Sequence, residues 1–437
     1  MTTNTKNIRK DINNIFKGDK VIWMVFFFIC LISITEVYSA SSSLSYKGGN
    51  YWSPVLKHVG TLIIGLFFMV VTLNIPCKYF KIFTPFLLII SFLTLIWVLF
   101  TGQSTNGAQR WMNFIGIEFQ PSEVAKGTMV LAVAQILSAM QTDKGADRRA
   151  FKYILIVSLF IILPIMMENL STAVLLSATI FCMMFIGRIP GYQLGRLIGV
   201  VMLVFFILFS SIMILGNDKT PPKNKTLTEA VSKKQEKPGV FGKVFHRADT
   251  WKSRINGFFN SKEVPPEKVD LDKDGQKAHA NIAIASSNVI GKGPGNSVER
   301  DFLSQAFSDF IFAIIIEEMG IEGAVFVVLL YLILLFRTAK IANRCEHNFP
   351  AFLAMGLALL LVIQAIFNML VAVGLAPVTG QPLPLISKGG TSTVINCVYV
   401  GVILSVSRFA KKKKETLEEG NLNLQKGMNT NLSASRV

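Results

Sequence analysis

Three stretches put polar groups where an otherwise apolar chain has no evident need of them. The first is FLSQAFSDFIFAIIIEEMGIEG, residues 302–323, which sets Asp309, Glu317 and Glu318 among isoleucines and phenylalanines. Ionisable groups at membrane depth are costly, and they face a bundle interior, a partner charge or a water-filled path. Asp309 sits at the mouth of the helix, where water and headgroups can reach it, and reads either as a catalytic acid or simply as the cap of the helix that follows. Glu317 lies about 12 Å further along that helix, and Glu318 lies beyond it on another face. That pair reads as an internal ion pair or hydrogen-bond hub, with catalysis as the alternative.

The second stretch is GAQRWMNFIGIEFQPSEVAKG, residues 107–127. Glu123 and Lys126 are three apart and share one face of a helix. Either each makes the other's burial tolerable, or Lys126 joins Arg110 in a cationic pocket for a phosphate-bearing substrate. Arg110 would then be a forked donor and Lys126 a point charge. The third is GLAPVTGQPLPLISKGGTS, residues 374–392, where Pro377, Pro382 and Pro384 forbid a continuous helix and Gly389 and Gly390 allow close backbone approach. Irregular backbone at membrane depth is tolerated where it is buried in protein or lines a cavity. A cavity wall is therefore expected, with an external turn as the alternative. ASSNVIGKGPGNS, 285–297, resembles a phosphate loop only superficially, because the Walker spacing and its Lys–Ser/Thr are missing.

The elements that must hold these groups are membrane helices. Of 437 residues, 51% are hydrophobic and 16% charged, and runs of about twenty apolar residues recur, long enough to cross a bilayer. A soluble domain would carry more charge, and an outer-membrane barrel would show short alternating segments. The net charge of +17 comes from Lys and Arg in the connecting loops, which argues for membrane orientation and against nucleic acid as a partner. Cys30, Cys77, Cys182, Cys345 and Cys397 form no CxxC pair and read as packing residues. No removable signal peptide is expected, because the polar N-terminal segment lacks a small-residue cleavage site after a short apolar core.

An all-α polytopic membrane protein follows, with about ten spans. They are expected near 21–40, 54–75, 82–100, 120–141, 151–167, 170–189, 194–215, 308–336, 350–375 and 389–408. The organisation is an N-terminal segment 1–20, spans one to seven within 21–215, a long polar loop 216–305, spans eight to ten within 306–408, and a tail 409–437 expected to be disordered. Alternate short loops are basic, around Lys78 and Lys81, Lys144 to Lys152, Arg188 and Arg196, Arg337 to Arg344, and Lys411 to Lys414. By the positive-inside rule both termini are cytoplasmic and 216–305 is external. The first part of that loop is expected to be mobile and the second ordered on the membrane surface.

Five stretches together resemble the SEDS family of shape, elongation, division and sporulation proteins, which includes FtsW and RodA. They are VYSASS, GAQRW…FQPSEVAKG, QKAHANIAIASSNVIGKGPGNS, SDFIFAIIIEEMGIEG and QAIFNMLVAVGLAPVTGQPLPLISKGGTS. The motifs fall in family order and cover nearly the whole membrane portion. The resemblance implies a ten-span fold and a peptidoglycan glycosyltransferase that polymerises lipid II at the outer face of the cytoplasmic, or inner, membrane. It further implies work beside a class B penicillin-binding protein and other divisome proteins, with membrane lipid as surroundings. The family's essential acid falls on Asp309. Its substrate contacts fall on Arg110, Glu123, Lys126, Gln276 and Asn368, with Gln364 beside Asn368, and on Ser387 and Lys388 in SKGGTS.

This chain departs from the family pattern in places. Gln305 and Phe307 replace Glu and His before the acid, Glu118 replaces a basic residue, Asn169 replaces Asp, and Lys388 stands where the family usually has tyrosine. On the implied reading, Asp309 takes the proton of the acceptor sugar hydroxyl, and undecaprenyl diphosphate leaves as an anion that needs no proton. Arg110 and Lys126 steady it, with a divalent cation, Mg or Mn, as the expected cofactor and no organic one. VYSASS and SKGGTS lean toward the division branch. A lipid II flippase and a non-catalytic division scaffold are the rival readings.

Overall fold

The computed structural model describes residues 17–40, 52–101, 103–105, 108–114, 117–215, 271–303 and 308–410. Expectations for the N-terminal segment, for the mobile part of the long loop and for the tail fall outside the described residues. The helices are α1 (Lys20–Ala40), α2 (Trp52–Asn74), α3 (Cys77–Thr101), α4 (Pro121–Ala139), α5 (Arg148–Glu168), α6 (Leu170–Ile186), α7 (Gly191–Leu215), α8 (Leu271–Ser286), α9 (Ile311–Ala342) and α10 (Asn348–Ala372). A final helix, α11, covers Thr391–Ala410.

Among the described residues, seven helices are long and apolar enough to cross a membrane: α1, α2, α3, α5, α9, α10 and α11. Three more, α4, α6 and α7, lie where spans four, six and seven are expected. Both α6 and the described apolar part of α7 are shorter, while α4 carries the buried polar residues Ser122, Glu123, Lys126 and Thr128 in its first half. The chain is thus mostly helical and rich in candidate spans. Large apolar side chains such as Phe67, Phe83, Phe86, Leu93 and Trp97 face outward from α2 and α3, as lipid-facing surfaces require.

The all-α fold class holds, with one small sheet added to it. Between α3 and α4, β1 (Gln103–Thr105), β2 (Ala108–Phe114) and β3 (Ile117–Phe119) form an antiparallel meander in the order β1-β2-β3. Met112 pairs with Phe119 and Phe114 with Ile117. The cause is local: RWMNF and IEF are rich in aromatic and β-branched residues and too short to span, so they pair with each other. A second, minimal hairpin joins Gln141–Thr142 to Gly145–Ala146.

One end of the bundle is closed by a charge clasp. Asp19 Oδ1 accepts the backbone N–H groups of Val21 (2.9 Å) and Ile22 (3.3 Å), capping α1. Its other oxygen meets Arg337 Nε of α9 at 2.9 Å, and its own N–H donates to Ser407 Oγ of α11 at 2.7 Å. At the opposite end the chain breaks regular structure in two places, and both breaks bear on the site.

The first break is inside α9. Gly320 has φ 70 and ψ −171, a kink that frees the carbonyls of Glu317 and Glu318. The turn after α8 supplies the missing donors, with Lys292 N to Glu317 O at 2.9 Å and Gly293 N to Glu318 O at 2.8 Å. Two glycine backbones cross here. A Cβ on Gly320 would sit 2.1 Å from Val289 O, and one on Gly291 would sit 2.4 Å from Glu318 O. The carboxylates hold the same turn. Glu317 binds Lys292 Nζ (2.7 Å), Val298 N (3.1 Å) and Ser297 Oγ, while Glu318 binds Gly295 N (2.9 Å), Ser297 N (3.2 Å) and Ser39 Oγ of α1. Glu317 and Glu318 are a hydrogen-bond hub, the bland reading of their sequence. The stretch with a superficial phosphate-loop look, 285–297, is the clamp that this hub holds.

Candidate active site

The second break is the segment between α10 and α11. Its prolines remove backbone donors but leave carbonyls that need partners. Side chains from three helices supply them. From α10, Asn368 Nδ2 donates to Gln381 O (2.8 Å) and Gln364 Nε2 to Pro382 O (3.0 Å). From α9, Tyr331 OH donates to Pro384 O, and from α1, Ser33 Oγ donates to Ile386 O at 2.7 Å. Gln381 Nε2 in turn donates to Thr172 Oγ1 of α6 at 2.8 Å. Leu385, buried, is held at φ 66, a strain that persists only where surroundings fix it. An irregular segment whose carbonyls are met in this way is buried inside the helical bundle, one of the settings in which such backbone is tolerated at membrane depth, and it forms an internal wall between the helices.

Asp309 stands against this wall, in the turn Ser308–Phe310 that leads into α9. Its backbone oxygen accepts from Asn368 Nδ2 at 2.9 Å, so one amide grips both Asp309 and the broken segment. Ser387 Oγ donates to Ser308 O at 2.7 Å, and Ser308 Oγ donates to Asp309 Oδ1 at 3.0 Å. The N-cap of α9 is Phe310 and makes no side-chain cap bond. The capping reading of Asp309 is therefore corrected: the chain starts the helix one residue later, and the half-buried carboxylate is left beside the wall.

Glu123 and Lys126 do meet. Their side chains are 2.8 Å apart at 2% and 0% exposure. Lys126 Nζ also donates to Gln364 Oε1 (2.7 Å), and Ser392 Oγ of α11 donates to Glu123 Oε2 (3.1 Å). Tyr399 OH donates to Glu123 O and accepts from Gly127 N at 3.0 Å, its ring filling the space where a Gly127 Cβ would be. The ammonium is fully enclosed, so in this conformation its charge acts on Glu123 and Gln364. Those contacts brace α4, α10 and α11 directly behind the wall.

The remaining predicted residues are spread around this centre. Arg110 lies on β2, whose register sets Trp111 opposite Gln103; its side chain is outside the described atoms. The meander is tied to the wall through Thr391 Oγ1 to Glu118 O, 3.0 Å. Gln276 is half-buried on α8, one turn before His279, which bonds Glu299 at 2.6 Å and stacks on Phe302. Ser387 and Lys388 belong to the wall itself. Lys388 is half-buried, and burial together with the nearby charge of Lys57 holds its ammonium below the usual lysine range. Sequence reasoning missed Tyr331 and Ser33, whose acceptors are backbone carbonyls, and Gln381, whose acceptor is a side chain far along the chain, because none of these pairings carries a local signature.

The family model for cell cycle proteins of the FtsW, RodA and SpoVE group matches residues 19–412, nearly the whole chain. The chain belongs to the FtsW/RodA/SpoVE family. Among curated relatives, a protein of Saccharophagus degradans named "probable peptidoglycan glycosyltransferase FtsW" is 30% identical, over 86% of this chain and 89% of its own. A namesake from Coxiella burnetii is 27% identical, over 88% and 95%. Of solved structures, one from a study of how a peptidoglycan synthase complex coordinates polymerization and crosslinking superposes with TM-score 0.66, at 22% identity, over 90% of this chain and 99% of that one. The rod shape determining protein RodA of Thermus thermophilus gives TM-score 0.59 at 21% identity, over 90% and 98%. At those identities the likeness is one of fold. Within this FtsW/RodA/SpoVE fold, Asp309, Asn368, Ser387 and Lys388 come together around one wall, and Glu123 and Lys126 brace it from behind.

Proposed function

We propose that the chain is a peptidoglycan glycosyltransferase that polymerises lipid II in septal wall synthesis, with ten spans, both termini cytoplasmic and the Asp309 end external. The observation that carries this is the grip on Asp309, a half-buried acid whose backbone and turn are fixed by Asn368 and Ser387 against the irregular segment between α10 and α11. Membership of a family whose curated relatives are named peptidoglycan glycosyltransferases supports it.

On this reading Asp309 accepts the proton of the acceptor sugar hydroxyl as that oxygen bonds to the donor's anomeric carbon. The bond from that carbon to the diphosphate oxygen breaks, and its electron pair leaves with undecaprenyl diphosphate. One base suffices because the departing anion needs no proton, and attack from the opposite face inverts the anomeric carbon. Arg110 is assigned to the diphosphate as a forked donor. Gln276 is assigned to the acceptor side and Asn368 to holding the base. Glu123 and Lys126 serve the substrate indirectly, by fixing the wall. Asp309 is a single carboxylate beside a serine hydroxyl, a donor set that suits Mg or Mn held largely by substrate phosphates. Such an ion would neutralise diphosphate charge. Among the described residues no three His, Cys, Asp or Glu side chains converge to hold a metal on their own.

A class B penicillin-binding protein is the proposed partner, supported by the fold shared with a chain of a synthase complex. Gel analysis of glycan strands made from lipid II by the purified chain, alone and with that partner, tests the assignment. Strands from the wild type and none from Asp309→Ala support it. A wild type that moves lipid II between leaflets but makes no strands turns the reading to a flippase, and one that does neither turns it to a scaffold.

A further inference from the structure

One buried acid is used by neither the wall nor the hub. Glu36 lies within α1 and is fully enclosed, and among the described residues neither of its carboxyl oxygens has a hydrogen-bond partner. An ionisable side chain inside a membrane bundle calls for a named partner or a named use. The residues one turn to either side of it on the same face are both engaged. Ser33 Oγ donates to Ile386 O of the wall at 2.7 Å and contacts His58 Nε2 of α2 at 2.8 Å. Ser39 Oγ donates to Glu318 Oε1 of the hub and accepts from Arg300 Nη1 at 3.0 Å. Arg300 stands in a short 3₁₀ turn, Glu299–Asp301, and its Nη1 also donates to Gly295 O at 2.5 Å. Its Nε is buried without a hydrogen-bond acceptor and has a loose ion contact, 3.7 Å, to the exposed Asp301. An acid without a donor and a cation with an unmet donor thus flank one serine.

A buried carboxylate without donors is costly enough that the group keeps its proton instead. The surroundings point the same way. The ionisable groups on the elements packed against this part of α1 are Glu317 and Glu318 of α9, Lys57 and His58 of α2, Lys388 of the wall, and Lys292, Glu299, Arg300 and Asp301 after α8. Glu317 is paired with Lys292, and Glu299 with His279. Ser39 holds Glu318, a like charge, about one helical turn from Glu36, which opposes ionisation. Arg300 is the cation that bonds the same serine. We infer that Glu36 is a proton-binding site, un-ionised while Arg300 rests on Ser39 and Asp301, and ionised when Arg300 turns to it. In that exchange the carboxyl O–H breaks, its proton passes to water, and a forked guanidinium–carboxylate pair forms in its place. The exchange draws the 3₁₀ turn onto α1. That turn ends eight residues before Asp309, so the state of Glu36 is tied to the position of the chain that carries the candidate base. The inference does not depend on what Asp309 catalyses.

Infrared spectroscopy of the full chain in nanodiscs reads the proton directly, as the carbonyl stretch of an un-ionised carboxyl that shifts in deuterated water. At a pH of about 7, far above the ordinary glutamate range, the wild type is expected to show this band and Glu36→Gln to lose one carboxyl's share of it. Glu36→Gln and Glu36→Met are expected to melt no lower than wild type, since each replaces an un-ionised, unpartnered group. In the wild type the band should decline as pH rises, and protection from hydrogen exchange over residues 295–303, corrected for intrinsic rates, should rise in step. In Glu36→Gln that protection should stay flat. Without the guanidinium the proton is held more tightly, so Arg300→Gln should move the band's midpoint up by about one pH unit or more, a tenfold gain in proton affinity. An undiminished band in Glu36→Gln overturns the site, because Glu36 is then ionised in the wild type. A sharp loss of stability in both Glu36 variants overturns it too, as the sign of a structural ion pair. A midpoint that Arg300→Gln leaves in place, or protection that does not follow the band, overturns the exchange with Arg300.

Discussion

At the scale of single residues, burial decides what a charge can do. Lys126 and Glu123 are enclosed together. Removing one partner leaves an uncompensated buried charge and costs about 3–5 kcal/mol, whereas replacing both by apolar residues of similar size is near neutral. Lys126→Met alone should therefore lower stability sharply in a denaturant titration, and Glu123→Leu with Lys126→Met should recover most of it. A single variant as stable as wild type would show that the pair is no brace. Arg110 is predicted to act differently. Arg110→Lys keeps the charge and loses the fork, so the initial polymerisation rate should fall by an amount equivalent to about 2–4 kcal/mol, with stability unchanged. A rate within twofold of wild type would place the diphosphate donor elsewhere.

Among the elements, the informative ones are those that break. Gly320 lets α9 kink, the turn after α8 repairs the freed carbonyls, and Gly291 lets the two backbones touch. Gly320→Ala puts a methyl group into Val289 O at a positive φ, and should cost about 2–4 kcal/mol. The checks are a lower melting temperature and faster hydrogen exchange over residues 287–298, while Gly60→Ala, in open space, should change neither. Much of this architecture is legible in the sequence. Long apolar runs predict helices because lipid demands them, and three prolines near Gly389 predict a broken wall. The hub at Glu317 and Glu318 is one of two open readings, and geometry alone can choose it. The meander escapes such reading because strands of three to seven residues give little periodicity. The donors Ser33, Tyr331 and Gln381 escape it because their partners are backbone atoms or side chains far along the chain. Enclosure of Lys126 depends on Gln364 and Ser392, which no spacing rule connects to it.

For the whole molecule, wall synthesis requires one orientation. The clasp of Asp19 with Arg337 and Ser407 marks one end, and the Asp309 wall marks the other. If both termini are cytoplasmic, the chain between α7 and α8 is external. A cysteine placed at Lys234, in a background lacking the five native cysteines, should then react with a membrane-impermeant thiol reagent in intact spheroplasts. Labelling only after lysis would invert the topology and put Asp309 on the wrong side for wall synthesis. The most direct test of the central claim is the initial rate of lipid II polymerisation by purified Asp309→Asn, a near-isosteric change that removes the base and leaves the backbone grip of Asn368 in place. With a melting temperature like that of wild type, the rate should fall about 10²-fold or more, the loss of a positioned general base. A folded Asp309→Asn protein that polymerises within twofold of wild type would contradict the assignment of Asp309 as the base.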